Sequence, residues 1–71
     1  MMTQNQMIIN YIERFGSITP QEAINRLGVM RLAARIMEIE ATGYRIAREM
    51  VTGKNRYGDP VRYARYKKAV Q

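Results

Sequence analysis

The chain has 71 residues, 46% of them hydrophobic, and a net charge of +6, which suits one domain with a compact core and not a disordered chain. It contains neither Cys nor His, which excludes disulfide staples, the usual zinc sites and any nucleophile–His catalytic pair. No apolar run approaches the ~20 residues that would span a bilayer, and the opening MMTQNQM carries no secretory pattern, so the expectation is a soluble, cytoplasmic protein with no membrane partner.

Thr3 and Gln6 form a capping box that predicts a first helix over about 4–15. Met7, Ile8, Tyr11, Ile12 and Phe15 recur on one helical face, which reads as core, with Ile9 and Asn10 on the other side. Gly16 stops the helix, and Ser17-Ile18-Thr19 supplies a short extended segment with Ile18 pointing inward. Thr19, Pro20 and Glu22 then combine an N-cap, a proline at the first helical position and a second capping box. They open a helix over about 20–27 that buries Ala23, Ile24 and Leu27. Gly28 can take the left-handed conformation that ends it. A third helix is predicted over about 30–42, with Leu32, Ile36 and Ile39 as a core stripe flanked by Val29 and Ala33. Two helices around one Gly-containing turn outline a helix-turn-helix.

Beyond Gly43 the period changes from helix to strand. Residues 44–51 and 61–66 alternate, with the turn-rich TGKNRYGDP between them. This predicts a β-hairpin over about 44–67, its tip near Gly58-Asp59, a bulge or bend at Gly53 and Pro60 beside the tip. Tyr44 and Tyr66 belong to the core, and the tail 67–71 should fray. The fold class is therefore α+β: three helices followed by a two-stranded hairpin, in one domain over 1–71.

The charge is unevenly placed. Residues 1–44 hold four basic and four acidic side chains, whereas residues 45–71 hold eight basic and two acidic ones. The whole excess lies after the helix-turn-helix, which points to a polyanionic partner, nucleic acid before membrane. Glu38 and Glu40 are two apart on a helix and diverge, so no enzymatic activity is expected, and no cofactor or metal.

The string GSITPQEAINRLGVMRLAARIMEIEATGYRI, followed by KNRYGDPVRYARYKK, resembles the small winged helix-turn-helix domain of phage and prophage proteins. The resemblance covers residues from about Gln4 to Lys67. It implies a small DNA-binding protein of a bacterial host's cytoplasm, a transcriptional or phage-DNA regulator. One departure is the Glu38-Ile39-Glu40 run, where relatives often carry basic residues.

On that reading Met30, Arg31, Ala34, Arg35 and Glu38 of the third helix face base edges in the major groove of double-stranded DNA. Arginine suits guanine because its planar fork matches O6 and N7. Gln21 and Asn25 contact phosphate or base edges from the side, and Lys54, Asn55, Arg56 and Arg62 cluster around the wing tip, to touch phosphates or reach into a minor groove. Arg48, Arg65, Lys67 and Lys68 extend the positive field. Each has a structural rival: Arg35 can pair with Glu38 or reach Glu22, Met30 can belong to the core, and Tyr57 and Tyr63 can be packing residues instead of stacking platforms. The alternative function is a protein-interaction module, a phage-encoded inhibitor or adaptor that binds a host protein. With no heptad or long terminal helix, a monomer or weak homodimer is expected.

Overall fold

Thr3 opens the first helix by reciprocal capping. Its hydroxyl accepts from the Gln6 N–H at 3.1 Å, and the Gln6 side chain accepts from the Thr3 N–H at 3.0 Å. The computed structural model describes residues 2–69, and in it α1 spans Gln4–Phe15. Gly16, at φ 93°, ends the helix by donating its N–H to the Ile12 carbonyl. A two-residue strand, β1 (Ser17–Ile18), follows.

The second capping box forms as its spacing requires. Thr19 Oγ1 accepts from the Glu22 N–H at 3.2 Å, and Glu22 Oε1 accepts from the Thr19 N–H at 3.0 Å. The Glu22 carboxylate also accepts from the Tyr11 hydroxyl at 3.3 Å, which ties this cap to α1. The helix itself differs from expectation. It is an α-turn over Pro20–Glu22 and a π-helical segment over Ala23–Leu27, together called α2. Gly28, at φ 70°, turns the chain so that the Val29 N–H reaches the Ala23 carbonyl at 2.9 Å, closing a wider ring than an α-turn would.

The third helix, α3, spans Leu32–Ala41 and so begins two residues later than the 30–42 prediction and ends one earlier. Arg31 occupies the N-cap at φ −121° and has no side-chain acceptor to offer, so Met30 and Arg31 stay in the turn. At the other end the Thr42 hydroxyl donates to the Ile39 carbonyl at 2.6 Å.

Strands β2 (Ile46–Lys54) and β3 (Pro60–Lys68) pair antiparallel from Ile46 opposite Lys68 to Lys54 opposite Pro60. The sheet has three strands, in the order β1-β3-β2, because Ser17 pairs with Lys67 and Ile18 with Tyr66. Gly53 is no bulge. It stays in register opposite Val61, and an added Cβ would lie 3.3 Å from the Tyr63 ring, so glycine leaves room for that side chain. Nor does the predicted tail begin at 67: Lys67 and Lys68 complete β3, and Ala69 donates to the Arg45 carbonyl at 3.0 Å. Residues 70–71 lie outside the described residues.

One cluster gathers Ile8, Tyr11 and Ile12 of α1, Ile18, Ala23, Val29, the α3 stripe Leu32, Ile36 and Ile39, and Tyr66 of the sheet. Each fully buried isoleucine contributes roughly 1.5–3 kcal/mol over an exposed one. Several core assignments need correction. Phe15 is 58% exposed and Ile24 is 40% exposed, and Ala33 faces outward. Met7 and Leu27 are half-buried. Ile9, assigned to the far face, packs against the cluster, and Tyr44 joins its edge. Phe15 sits past the end of the buried stripe, where its ring packs on Tyr11 with centroids 4.6 Å apart and under the Arg14 guanidinium.

Candidate nucleic-acid interface

The hairpin tip is built by one asparagine. The Asn55 side chain accepts from the Tyr57 N–H at 2.9 Å and the Asp59 N–H at 3.1 Å. Its backbone N–H donates to Asp59, its carbonyl accepts from Gly58, and Gly58 turns the chain at φ 84°. Asn55 is thus tied into the loop that presents Arg56. Lys54 and Arg62 lie on one face of the hairpin by the β2–β3 register, opposite Pro60 and Thr52 respectively. Among the described residues, none of Lys54, Arg56 and Arg62 has a carboxylate within salt-bridge distance.

The tip approaches the start of α2. Thr19, Pro20 and Gln21 form one side of an open cleft of about 510 Å³, with Lys54, Asn55 and Arg56 opposite and Val61 and Tyr63 within it. The structure therefore brings Gln21 together with three of the four predicted wing residues. Pro20, Val61 and Tyr63 join them, and no sequence pattern marks these three as a group. Tyr57 lies outside that group and is 83% exposed.

The hairpin base is electrically different. Arg48 meets Glu40 at 2.6 Å, Arg65 and Lys67 meet Glu49 at 3.1 and 3.4 Å, and Lys68 meets Glu13 at 3.1 Å. Arg48 also lies over the Tyr66 ring, 5.6 Å from its centroid. The sequence predicts that these four cations extend the field toward a ligand. Instead, acids from α1, α3 and β2 hold them.

The predicted recognition residues fall into two groups. Met30, Arg31 and Ala34 are exposed at the start of α3, and Arg31 has no ion pair among the described residues. Met30, at 76% exposure, is not in the core. Arg35 and Glu38 are held against α1. The Arg35 guanidinium donates to both Glu38 oxygens at 3.0 and 3.2 Å and to Gln4 at 3.1 Å, while Glu38 accepts from Asn5 at 3.1 Å. The Asn5 hydrogen bond, with the Arg35 guanidinium beside it, holds the Glu38 carboxyl below the usual carboxylate range. The Arg48 hydrogen bond does the same for Glu40. Both glutamates thus stay ionised, each paired with an arginine, Glu38 with Arg35 and Glu40 with Arg48. Asn25 is exposed on the π-helical segment. No three His, Cys, Asp or Glu side chains gather as a metal-binding group among the described residues. No described helix is long and apolar enough to cross a membrane.

A family model described as a winged helix-turn-helix domain matches residues 3–69, and the chain belongs to that family. No curated protein and no solved structure matches it.

Proposed function

We propose that this winged helix-turn-helix domain binds double-stranded DNA as a phage- or prophage-type regulator in the bacterial cytoplasm, and that it is not an enzyme. The start of α3 enters the major groove, with Arg31 free to reach a base edge or a phosphate. The hairpin tip lies on the backbone. One observation carries the reading: at the wing tip Lys54, Arg56 and Arg62 have no acid partner among the described residues, and Lys54 and Arg56 line a cleft with Gln21. Unpaired lysine and arginine neutralise phosphates and release counterions, so binding by them is steeply salt-dependent.

The test is a titration of labelled duplex by fluorescence anisotropy over a range of salt. Affinity should fall with a log–log slope set by the number of phosphates neutralised. The Lys54→Ala, Arg56→Ala double variant should weaken binding to all duplexes alike. It should also reduce the slope by roughly 0.9 for each phosphate that the two side chains neutralise in the wild type. An unchanged slope in that variant counts against the wing assignment.

A second reading, a host-protein interaction module, is favoured by a different face. Met2, Met7, Tyr11, Phe15 and Leu27 line an apolar groove of about 240 Å³ along α1, and exposed apolar surface marks interaction sites on small proteins. Pull-down from host lysate with and without nuclease separates the two. A discrete protein retained after nuclease supports this reading, and enriched genomic DNA supports the first. Sedimentation of the pure chain distinguishes a monomer from a weak homodimer.

A further inference from the structure

Resting on the DNA-binding reading, we infer that α3 recognises thymine methyl groups in the major groove. Its specificity is therefore for a short thymine-containing step and does not come from hydrogen bonds along the helix.

The outward arc of α3 is poor in hydrogen-bonding groups. With Leu32, Ile36 and Ile39 turned into the core, the exposed apolar positions are Ala33, Ala34, Met37 and Ala41 on the helix and Met30 in the turn just before it. Met30 and Met37 are 76% and 68% exposed. None of these five side chains donates or accepts a conventional hydrogen bond to a base. The polar residues beside the arc are engaged elsewhere: Arg35 with Gln4 and Glu38, Glu38 also with Asn5, and Glu40 with Arg48. At the far end the Thr42 hydroxyl is spent on the Ile39 carbonyl. Only Arg31, at the head of the helix, is left as a long polar reader.

A major groove offers such a surface one apolar feature that differs between base pairs, the C5-methyl of thymine. Alanine lets the helix approach closely, and the flexible, polarisable methionine side chain moulds to a methyl group. Charge selects this occupant over an apolar protein partner. The same domain is +6 overall, and Arg31, Lys54, Arg56 and Arg62, which have no ion pair among the described residues, suit a polyanion. Ala34 and Ala41, both within α3, are seven residues apart, about 10 Å along a helix at 1.5 Å per residue. That distance spans about three base-pair steps of 3.4 Å. The arc thus reads about three consecutive steps, with Arg31 at one edge of them.

The test uses the full chain. Binding sites are selected from a random duplex pool, and each thymine of the selected site is then replaced singly by deoxyuridine, which removes only the methyl group. The expected result is a thymine-containing core in the selected sites and a roughly fourfold weakening for each critical replacement. That is the fold-change equivalent of the ~0.8 kcal/mol of burying one such carbon. Met37→Ala, an exposed position that folding should tolerate, should bind the deoxyuridine duplex as well as the thymine one. If duplexes bind with the expected salt dependence but thymine and deoxyuridine are equivalent everywhere, or if no sequence is enriched, the inference is overturned and the DNA-binding reading stands. If no duplex binds at any salt concentration, both are overturned.

Discussion

At the base of the β2–β3 hairpin, Arg48, Arg65, Lys67 and Lys68 each meet a carboxylate, whereas at its tip Lys54, Arg56 and Arg62 meet none among the described residues. The aromatic residues divide in the same way: Tyr66 at the base is 7% exposed and Tyr57 at the tip is 83% exposed. One strand pair therefore has two electrically different ends. Its base belongs to the core and to the charge network that locks α1 and α3 onto the sheet. Its tip is free to meet a ligand. Net charge does not distinguish the two ends, because the excess stays without a partner only where no local acid takes it up.

The strongest way to break this comparison is to truncate the aromatic residue at each end. Tyr66→Ala should cost on the order of 3 kcal/mol, as for other buried aromatic residues cut to alanine, because Tyr66 packs with the core and pairs with Ile18 across β3 and β1. Tyr57→Ala should stay within about 0.5 kcal/mol of wild type, as for an ordinary surface site. Chemical denaturation of the three proteins measures both. Equal losses would mean that the tip is as integral to the fold as the base.

Much of this organisation is legible in the sequence because it is local. The capping boxes Thr3–Gln6 and Thr19–Glu22 need only a spacing of three, and both form. Gly16, Gly28 and Gly43 all take positive φ where the chain must leave a helix. The α3 core stripe follows from period alone. What is not legible depends on partners far away in sequence. Nothing near Lys68 announces Glu13, and nothing near Arg48 announces Glu40, so the hairpin base reads as free charge. The helical period continues back through Met30, but α3 starts later because its cap falls on Arg31, which carries no acceptor. Phe15 matches the apolar spacing of α1 yet lies beyond what the core covers. The extended segment at Ser17–Ile18 is legible, but its pairing with β3 is not, since two residues are too few for alternation to show. For the candidate site, residue type marks the tip cations correctly as basic and exposed, but only the fold places Gln21 beside them.

Titration sharpens the comparison at the base. Tyr44 donates to Glu13 at 2.6 Å. Burial and that acceptor together push the Tyr44 hydroxyl up to about 12. Hydrogen bonds from Tyr44 and then Lys68 hold Glu13 below the usual carboxylate range. A depressed carboxylate stabilises the fold at pH values above its unfolded pKa, and that contribution is lost as pH falls through the folded one. A raised tyrosine works in reverse: its contribution is complete below about 10, the ordinary tyrosine value, and is lost as pH rises toward about 12. The thermal midpoint should therefore fall on both sides of neutrality. Tyr44→Phe should flatten the alkaline limb and shrink the acid one, with DNA affinity at neutral pH unchanged because the tip is untouched. A Tyr44→Phe profile that superimposes on wild type would mean that Tyr44 carries none of the pH dependence.

The smallest expected effect tests the comparison most directly, because it converts base into tip. Glu49 holds both Arg65 and Lys67, and all three side chains are 39–44% exposed. Exposed pairs of this kind contribute between about 0 and 1 kcal/mol, so Glu49→Gln should leave stability within that range. The variant also releases two cations on one face of the hairpin. If local acids are what silence the base, these cations become available to phosphate, and affinity for any duplex should rise with a salt slope steeper by up to roughly 0.9 for each further phosphate neutralised. A variant of wild-type stability and unchanged slope would show that the base lies out of reach of DNA whatever its charge. Geometry, and not pairing, would then divide the hairpin.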